Sequence, residues 1–327
     1  MEFRFDDDQL AMRDAVKAFC ADHLDLTRLA VGEGKAADPA TWSALAELGV
    51  LGMLAGGEEA GVGLVEASIV FEALGANLVS GPVLWSTLTA PLIDGIADGA
   101  VRAAGVTVPE GADGTTVVEH AEESELVVVL RADRVVCCRA EDLPATIDGS
   151  PLDPLTPATV FSAVPDGEVV GGPAEADALR RAGTLLSAAM LVGAAQGALD
   201  VARDYALERH QFDRPIGSFQ AVKHLLADMY VRVELARAAT YAAAAVAAGR
   251  GTGDVDHSAS TAKLLAGEAG LKNSRSAIQI LGGMGFTWDM LPHYFLKRAW
   301  VLEEQFGTSA DHATRLGSAV GREVSGT

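Results

Sequence analysis

Apolar positions recur at helical spacing through the first hundred residues: Leu10, Met12, Val16 and Phe19, then Trp42, Leu45, Leu48 and Leu51. Gly56, Gly57 and the Gly61-Val62-Gly63 triplet punctuate that pattern, and a further helix is predicted over 65–78. From about 101 to 170 the texture changes. Runs at 115–118, 126–130, 135–138 and 159–164 are rich in β-branched residues and are separated by Gly, Pro and Asp, which predicts short strands. After Pro173 the helical pattern returns and stays. One long helix is predicted over 185–208, with alanines and glycines that permit close helix approach. Ser218 is placed as the N-cap of the next, whose apolar face is Val222, Leu225, Leu226, Met229 and Val233. A third helix over 257–281 stops at Gly282-Gly283, and a fourth covers 291–305. Thr308 to Asp311 fits the T-x-x-D capping pattern, so a last helix starts there. The chain therefore divides into a helical segment 1–98, a small β segment 99–175 and a helical bundle 176–327, an α+β class that is mostly α.

Composition narrows the partners. The 327 residues include 45 acidic and 25 basic side chains, a formal net charge of −20 that repels polyphosphate and argues against nucleic acid. Even the most apolar stretch, 185–199, is interrupted by Ser187 and Gln196, so no membrane span is expected. The opening MEFRFDDDQL is acidic and lacks the basic and apolar regions of a secretory signal, which points to the cytoplasm. Three cysteines, two of them adjacent at Cys137 and Cys138, form neither a disulfide framework nor a metal-ligand spacing.

Three short stretches hold candidate chemistry. In RHQFDRPIGSFQ, Arg209 closes one helix and Gln220 lies in the first turn of the next, so both project from one junction towards a ligand. On spacing alone the plainer reading, a neutralised helix C-terminus and a surface glutamine, is the favoured one. In QILGGMG, Gln279 precedes three glycines in four residues, Gly282, Gly283 and Gly285, which suits the edge of a nucleotide or its pyrophosphate; the same residues make a plain glycine C-cap. Gly307-Thr308-Ser309 offers free N–H groups and hydroxyls at a helix start, or a plain N-cap.

Taken in order, YALERHQFDRPIGSFQAVKHLLADMYVRVELARAA, AIQILGGMGF and FGTS resemble the C-terminal domain of the acyl-CoA dehydrogenases. FDDDQLAMRDAVKAFCADH and WSALAELGVLGMLAGGEEAGVGLVEASIVFEALGANL resemble that family's N-terminal helical domain. The resemblance covers residues 1 to about 85 and 180 to 318. It implies a helical domain, a middle β-domain and a C-terminal four-helix bundle, FAD bound across a dimer interface, and desaturation of acyl-CoA thioesters at Cα–Cβ. It further implies that Arg209, Phe212 and Gln220 contact the ADP part of an FAD held mainly by the neighbouring subunit. Gln279, Leu281, Gly282 and Gly283 complete that site, and Thr308 matches a further cofactor contact. Asp213 stands where the family usually has glycine and brings a negative charge near the site.

Two departures shape the expectation further. The family's base is usually a glutamate directly before the Gly-Thr of the last motif, and here that position is Phe306; its alternative position falls at Gly183. A carboxylate is needed to take the α-proton as hydride leaves Cβ, and a phenyl ring has no basic site. Glu303 lies a turn from Phe306, out of a base's reach, and with Glu304 reads as a solvated helix residue. The middle segment lacks the Thr-Glu-Pro and Trp-x-Thr stretches that hold the isoalloxazine. Arg180 and Arg181 read as helix-start ion pairing. The chain thus resembles the shortened, non-catalytic subunits of heteromeric actinobacterial acyl-CoA dehydrogenases of steroid catabolism. There the expected partners are a full-length catalytic subunit, an acyl-CoA substrate and an electron-transfer flavoprotein. A self-sufficient homo-oligomer with an unrecognised base, and a non-enzymatic scaffold, are the alternatives.

Overall fold

The computed structural model describes residues 5–24, 26, 38–56, 63–109, 111–112, 114–143, 146–147 and 151–325; Gly57, Gly61 and Val62 of the expected break lie outside them. Helix α1, Asp7–His23, opens on a capping box in which Asp6 accepts from the Gln9 amide at 2.8 Å and the Gln9 side chain accepts from the Asp6 amide at 3.2 Å. Asp38 caps α2, Pro39–Glu47, and α3 and α4 run Leu64–Ala76 and Val83–Thr89. Next come β1 Ala103–Thr107, β2 Thr116–Glu119, β3 Leu126–Leu130, β4 Val135–Arg139, β5 Thr146–Ile147, β6 Ala158–Phe161 and β7 Glu168–Gly171. Helix α5, Pro173–Glu208, is followed by a hairpin of β8 His210–Gln211 and β9 Arg214–Pro215. Four helices close the chain: α6 Gln220–Ala247, α7 Val255–Leu281, α8 Pro292–Glu304 and α9 Ser309–Ser325.

Contacts group the chain into two compact units. One comprises Lys35–Ala67 and Ser80–Thr184 and holds the sheets. Its four-stranded sheet has the order β1-β3-β4-β7, with β1 and β3 parallel, and a second sheet has the order β2-β6-β5. Ala104, Val118, Val127 and Phe161 join the two sheets in one apolar cluster. The other face of β1 receives helix α4, because a Cβ on Gly105 would overlap the Trp85 ring. Strand β1 was not expected from AAGVT, and this packing explains it: tertiary burial overrides weak β-propensity. Arg180 pairs with Asp177 at 2.7 Å and donates to the Arg131 carbonyl at 2.8 Å, so the ion-pair reading of Arg180 holds.

The other unit comprises Met1–Gly34, Ser68–Val79 and Leu185–Thr327. Helices α3 and α5 approach backbone to backbone: a Cβ on Gly75 would overlap the Met190 backbone, and one on Gly193 would overlap the Glu72 carbonyl. Helix α5 is long and apolar enough by composition to cross a bilayer, but 83% of that window is buried in the protein, as in a core helix. Asn273 ties three helices together. Its amide donates to the Met229 carbonyl of α6 at 3.0 Å and the Ala195 carbonyl of α5 at 3.3 Å, and its oxygen accepts from Arg232 at 3.0 Å.

Candidate functional site

The α5–α6 junction is a tight hairpin in which Ile216 N donates to the Arg209 carbonyl at 2.8 Å, and His210 and Gln211 pair with Pro215 and Arg214. Its two loop residues, Phe212 and Asp213, sit at φ 53° and 65°, as a type I′ turn requires. Glycine is favoured at the second of these positions for its backbone freedom, and aspartate is among the few side chains that tolerate it. The family's glycine there is thus explained by conformation, and the charge of Asp213 is the by-product. Phe212 is 86% exposed and meets Phe219 edge-on, with ring centroids 6.1 Å apart, while the Arg214 guanidinium lies 4.1 Å from the Phe219 ring centre. Arg209 is exposed and, among the described residues, its guanidinium makes no ion pair. It remains available to a ligand.

Ser218 is not the N-cap. Its hydroxyl donates to the Pro215 carbonyl at 2.7 Å, and Phe219, in extended conformation and without a side-chain cap, precedes α6. The first amides of α6, from Gln220 onward, therefore keep their hydrogens free beside Arg209, an arrangement suited to an anion. The exposed Gln220 side chain rests on His224 at 2.9 Å.

The second stretch behaves differently. Helix α7 ends at Gly282 as expected, and the Gly282 amide donates to the Ile278 and Gln279 carbonyls rather than facing solvent. Gln279 is exposed and Leu281 buried. A Cβ on Gly282 or Gly283 would meet nothing within 4 Å, so the surface there is open. A helix C-terminus carries partial negative charge and disfavours phosphate. This turn suits the edge of a nucleotide more than a phosphate group.

These two stretches share one end of the bundle. Helices α6 and α7 are antiparallel neighbours joined at Asn273 and Met229. Gln220 lies nine residues before Met229 and Gly282 nine residues after Asn273, each about 13 Å along its helix in the same direction. Arg209, Phe212, Gln220, Gln279 and Gly283 are thereby gathered.

Phe306 and Thr308 are elsewhere. A Cβ on Gly267 would overlap Glu303 of α8 and Ser309 of α9, so that turn is level with a point fifteen residues, about 22 Å, up α7 from Gly282. Thr308 is a plain cap: its hydroxyl and amide donate to Asp311 at 2.8 and 2.9 Å, which holds the Asp311 carboxyl below its ordinary value. Phe306 is 2% exposed at φ 59°, an unusual conformation for a bulky residue, and its carbonyl accepts from His312 at 3.3 Å. Burial pushes the His312 imidazole down to about 4. Beneath this turn the fully buried Lys263 ammonium donates to the Leu302 and Gln305 carbonyls at 2.5 and 2.7 Å. Glu303 departs from expectation. It is half-buried, and its carboxylate accepts from the Ser309 amide at 2.7 Å, stabilising the start of α9. Glu304 is exposed, as expected, and Gly183 is buried inside α5.

Sequence reasoning passed over Lys263 and Asn273. A signal existed for the first: Lys263 sits on the face of Ala259, Ala266 and Gly270, at the spacing of a buried stripe.

The N-terminal domain of acyl-CoA dehydrogenases matches residues 6–103 and their C-terminal domain matches residues 181–320. Acyl-CoA dehydrogenase IpdE2 of Mycolicibacterium smegmatis is 31% identical over 328 residues, covering 94% of this chain and 97% of the relative. The chain belongs to the acyl-CoA dehydrogenase family. This family membership places it in an oxidoreductase class and makes FAD the cofactor. Two solved structures share the fold. A chain of the ChsE4-ChsE5 complex from Mycobacterium tuberculosis superposes with a TM-score of 0.80 at 23% identity, covering 100% of both chains. A Tcur3481-Tcur3483 steroid ACAD variant gives 0.80 at 24%, covering 97% of this chain and 99% of that one. The residues at the hairpin end fit the ADP part of FAD: an exposed arginine, an uncapped helix N-terminus and a glycine edge with room above it.

Proposed function

We propose that this chain is the non-catalytic subunit of a heteromeric, cytoplasmic, FAD-dependent acyl-CoA dehydrogenase. It contributes the ADP-side half of the flavin site to a full-length partner chain. The observation that carries the reading is the pairing of an open cofactor edge with a closed base position. Arg209, Phe212 and Gln220 are exposed, while Phe306 is 2% exposed and uncharged. When bound, FAD supplies the hydride acceptor for Cα–Cβ desaturation. In this chain Arg209 and the α6 N-terminus hold the pyrophosphate, and Phe212 and the Gly282-Gly283 edge exclude water from the adenosine part. No residue here takes the α-proton. Among the described carboxylates nearest in sequence, Glu303 accepts from the Ser309 amide, Asp311 accepts from Thr308, and Glu304 is exposed. Exposed apolar side chains support a partner surface: Val231 and Leu235, one turn apart on α6, are 54% and 57% exposed. The two-chain complex among the similar structures supports a heteromer, and the steroid ACAD supports a bulky, steroid-derived acyl-CoA as its substrate, with an electron-transfer flavoprotein as the proposed acceptor.

Expressing the chain alone and together with a full-length dehydrogenase chain tests this reading. The expected result is a colourless chain alone, and a yellow, active complex when co-expressed. A chain that is yellow and dehydrogenates acyl-CoA unaided overturns it.

A further inference from the structure

A cavity of about 590 Å³ lies among α1, α3, α5 and α6, within the roughly 300–1,000 Å³ range of small-molecule sites. It is distant from the proposed cofactor edge: Arg237 and Tyr241, on its wall, are seventeen and twenty-one residues up α6 from Gln220, about 26–32 Å. One wall is a closed polar network. Glu72 accepts from Arg237 at 2.8 Å and from the Tyr241 hydroxyl at 2.7 Å, Arg237 donates to Gln196 at 2.8 Å, and Glu234 takes a further guanidinium hydrogen. Burial and then Glu72 raise the Tyr241 hydroxyl far above its ordinary value, so it stays a neutral donor. These groups are already bonded to one another and offer rigidity more than charge.

Helix α1 carries the unspent charge of the lining. Arg13 and Lys17 are four residues apart on α1 and so share a face. Arg13 bonds only the exposed Asp14 beside it, at 3.0 Å, and Lys17 makes no ion pair among the described residues. The cavity's other acid, Asp200, is paired with Arg203 at 2.8 Å, outside the lining. The floor is apolar, formed by Ile69, Ala73, Val201 and Phe295. A chain of net charge −20 thus turns a basic rim over an apolar floor here.

We propose that this cavity binds a small organic acid with an apolar body, its carboxylate on Lys17 and Arg13 and its hydrocarbon against Ile69, Ala73, Val201 and Phe295. The site is independent of the flavin edge. The probe is dodecanoate, titrated calorimetrically into the full chain in whichever form is soluble, alone or in its co-expressed complex, with dodecanol as the uncharged control. The expected result is saturable binding of one dodecanoate per chain, at least about tenfold tighter than dodecanol. Val201→Trp, entering the cavity from its half-exposed side, abolishes binding and leaves flavin content unchanged. Arg13→Glu with Lys17→Glu, both at the protein surface, weakens dodecanoate by about tenfold or more. Absence of saturable binding overturns the proposal. So does equal binding of dodecanol, or an affinity that the double charge variant leaves unchanged; that last comparison decides the matter even where Val201→Trp fails to fold.

Discussion

The hairpin end of the bundle and the α8–α9 turn are both glycine-bearing junctions in the same α-helical unit, and they have opposite characters. At the hairpin end the polar groups face outward: Arg209 is exposed, α6 starts without a side-chain cap, and the space above Gly282 and Gly283 is empty. At the α8–α9 turn the polar groups face inward. Lys263 bonds helix carbonyls, Glu303 bonds the Ser309 amide, Thr308 and Asp311 bond each other, and Phe306 is buried. The difference teaches how one fold keeps one junction open and closes another. A junction stays fit for a ligand when its backbone donors lack internal partners, and it becomes scaffolding when side chains of its own chain take them.

Putting a base back is the harshest way to break this contrast. Phe306→Glu puts a carboxyl where a phenyl ring is 2% exposed, and the expected outcome is a loss of about 3 kcal/mol or more of stability, read by urea unfolding, with no dehydrogenase activity from the chain alone. Activity appearing in that variant makes the position open after all. Next in size, Arg209→Ala removes the charge proposed for the pyrophosphate. FAD affinity of the co-expressed complex is expected to fall about 30-fold, roughly 2 kcal/mol, with an unchanged melting temperature.

Acid sharpens the contrast from the buried side. His312 is held at about 4, chiefly by burial, with Arg315 and Lys263 adding like charge while the Phe306 carbonyl and Asp311 oppose. The unfolded chain takes up this proton below about 6.5, so the stabilising effect is complete above that pH and is lost as pH falls towards 4. Stability is expected to drop by about 2 kcal/mol across that window, and His312→Gln to flatten the slope. The smallest effect belongs to the hairpin. Asp213→Gly relaxes a left-handed residue and removes a negative charge near the ligand, so about 0.5 kcal/mol of stability is gained and FAD binds a few-fold tighter.

Much of the fold is legible in the amino-acid pattern alone. The strands over 126–130 and 135–138, the stop at Gly282 and the cap at Thr308 follow from local patterns, because each is decided within a few residues. Helix α5 begins at Pro173 rather than 185, since Glu175, Asp177, Arg180 and Arg181 hide the apolar period in its first turns. The turn at Phe212 and Asp213 lacks the Asn-Gly signature of its type, so its geometry is invisible in sequence. The residues proposed for the site are named one by one through family resemblance. Their division into two ends about 22 Å apart is not legible, because it depends on the α6–α7 register set by Asn273 and on the packing of Gly267 against Glu303 and Ser309.

The central claim is that this chain completes another chain's flavin site and has no flavin pocket of its own. Flavin absorbance after denaturation, set against the protein content of each chain in the purified co-expressed complex, tests it most directly. One FAD for each pair of unlike chains is the predicted ratio. Two per pair, one in each chain, contradicts it.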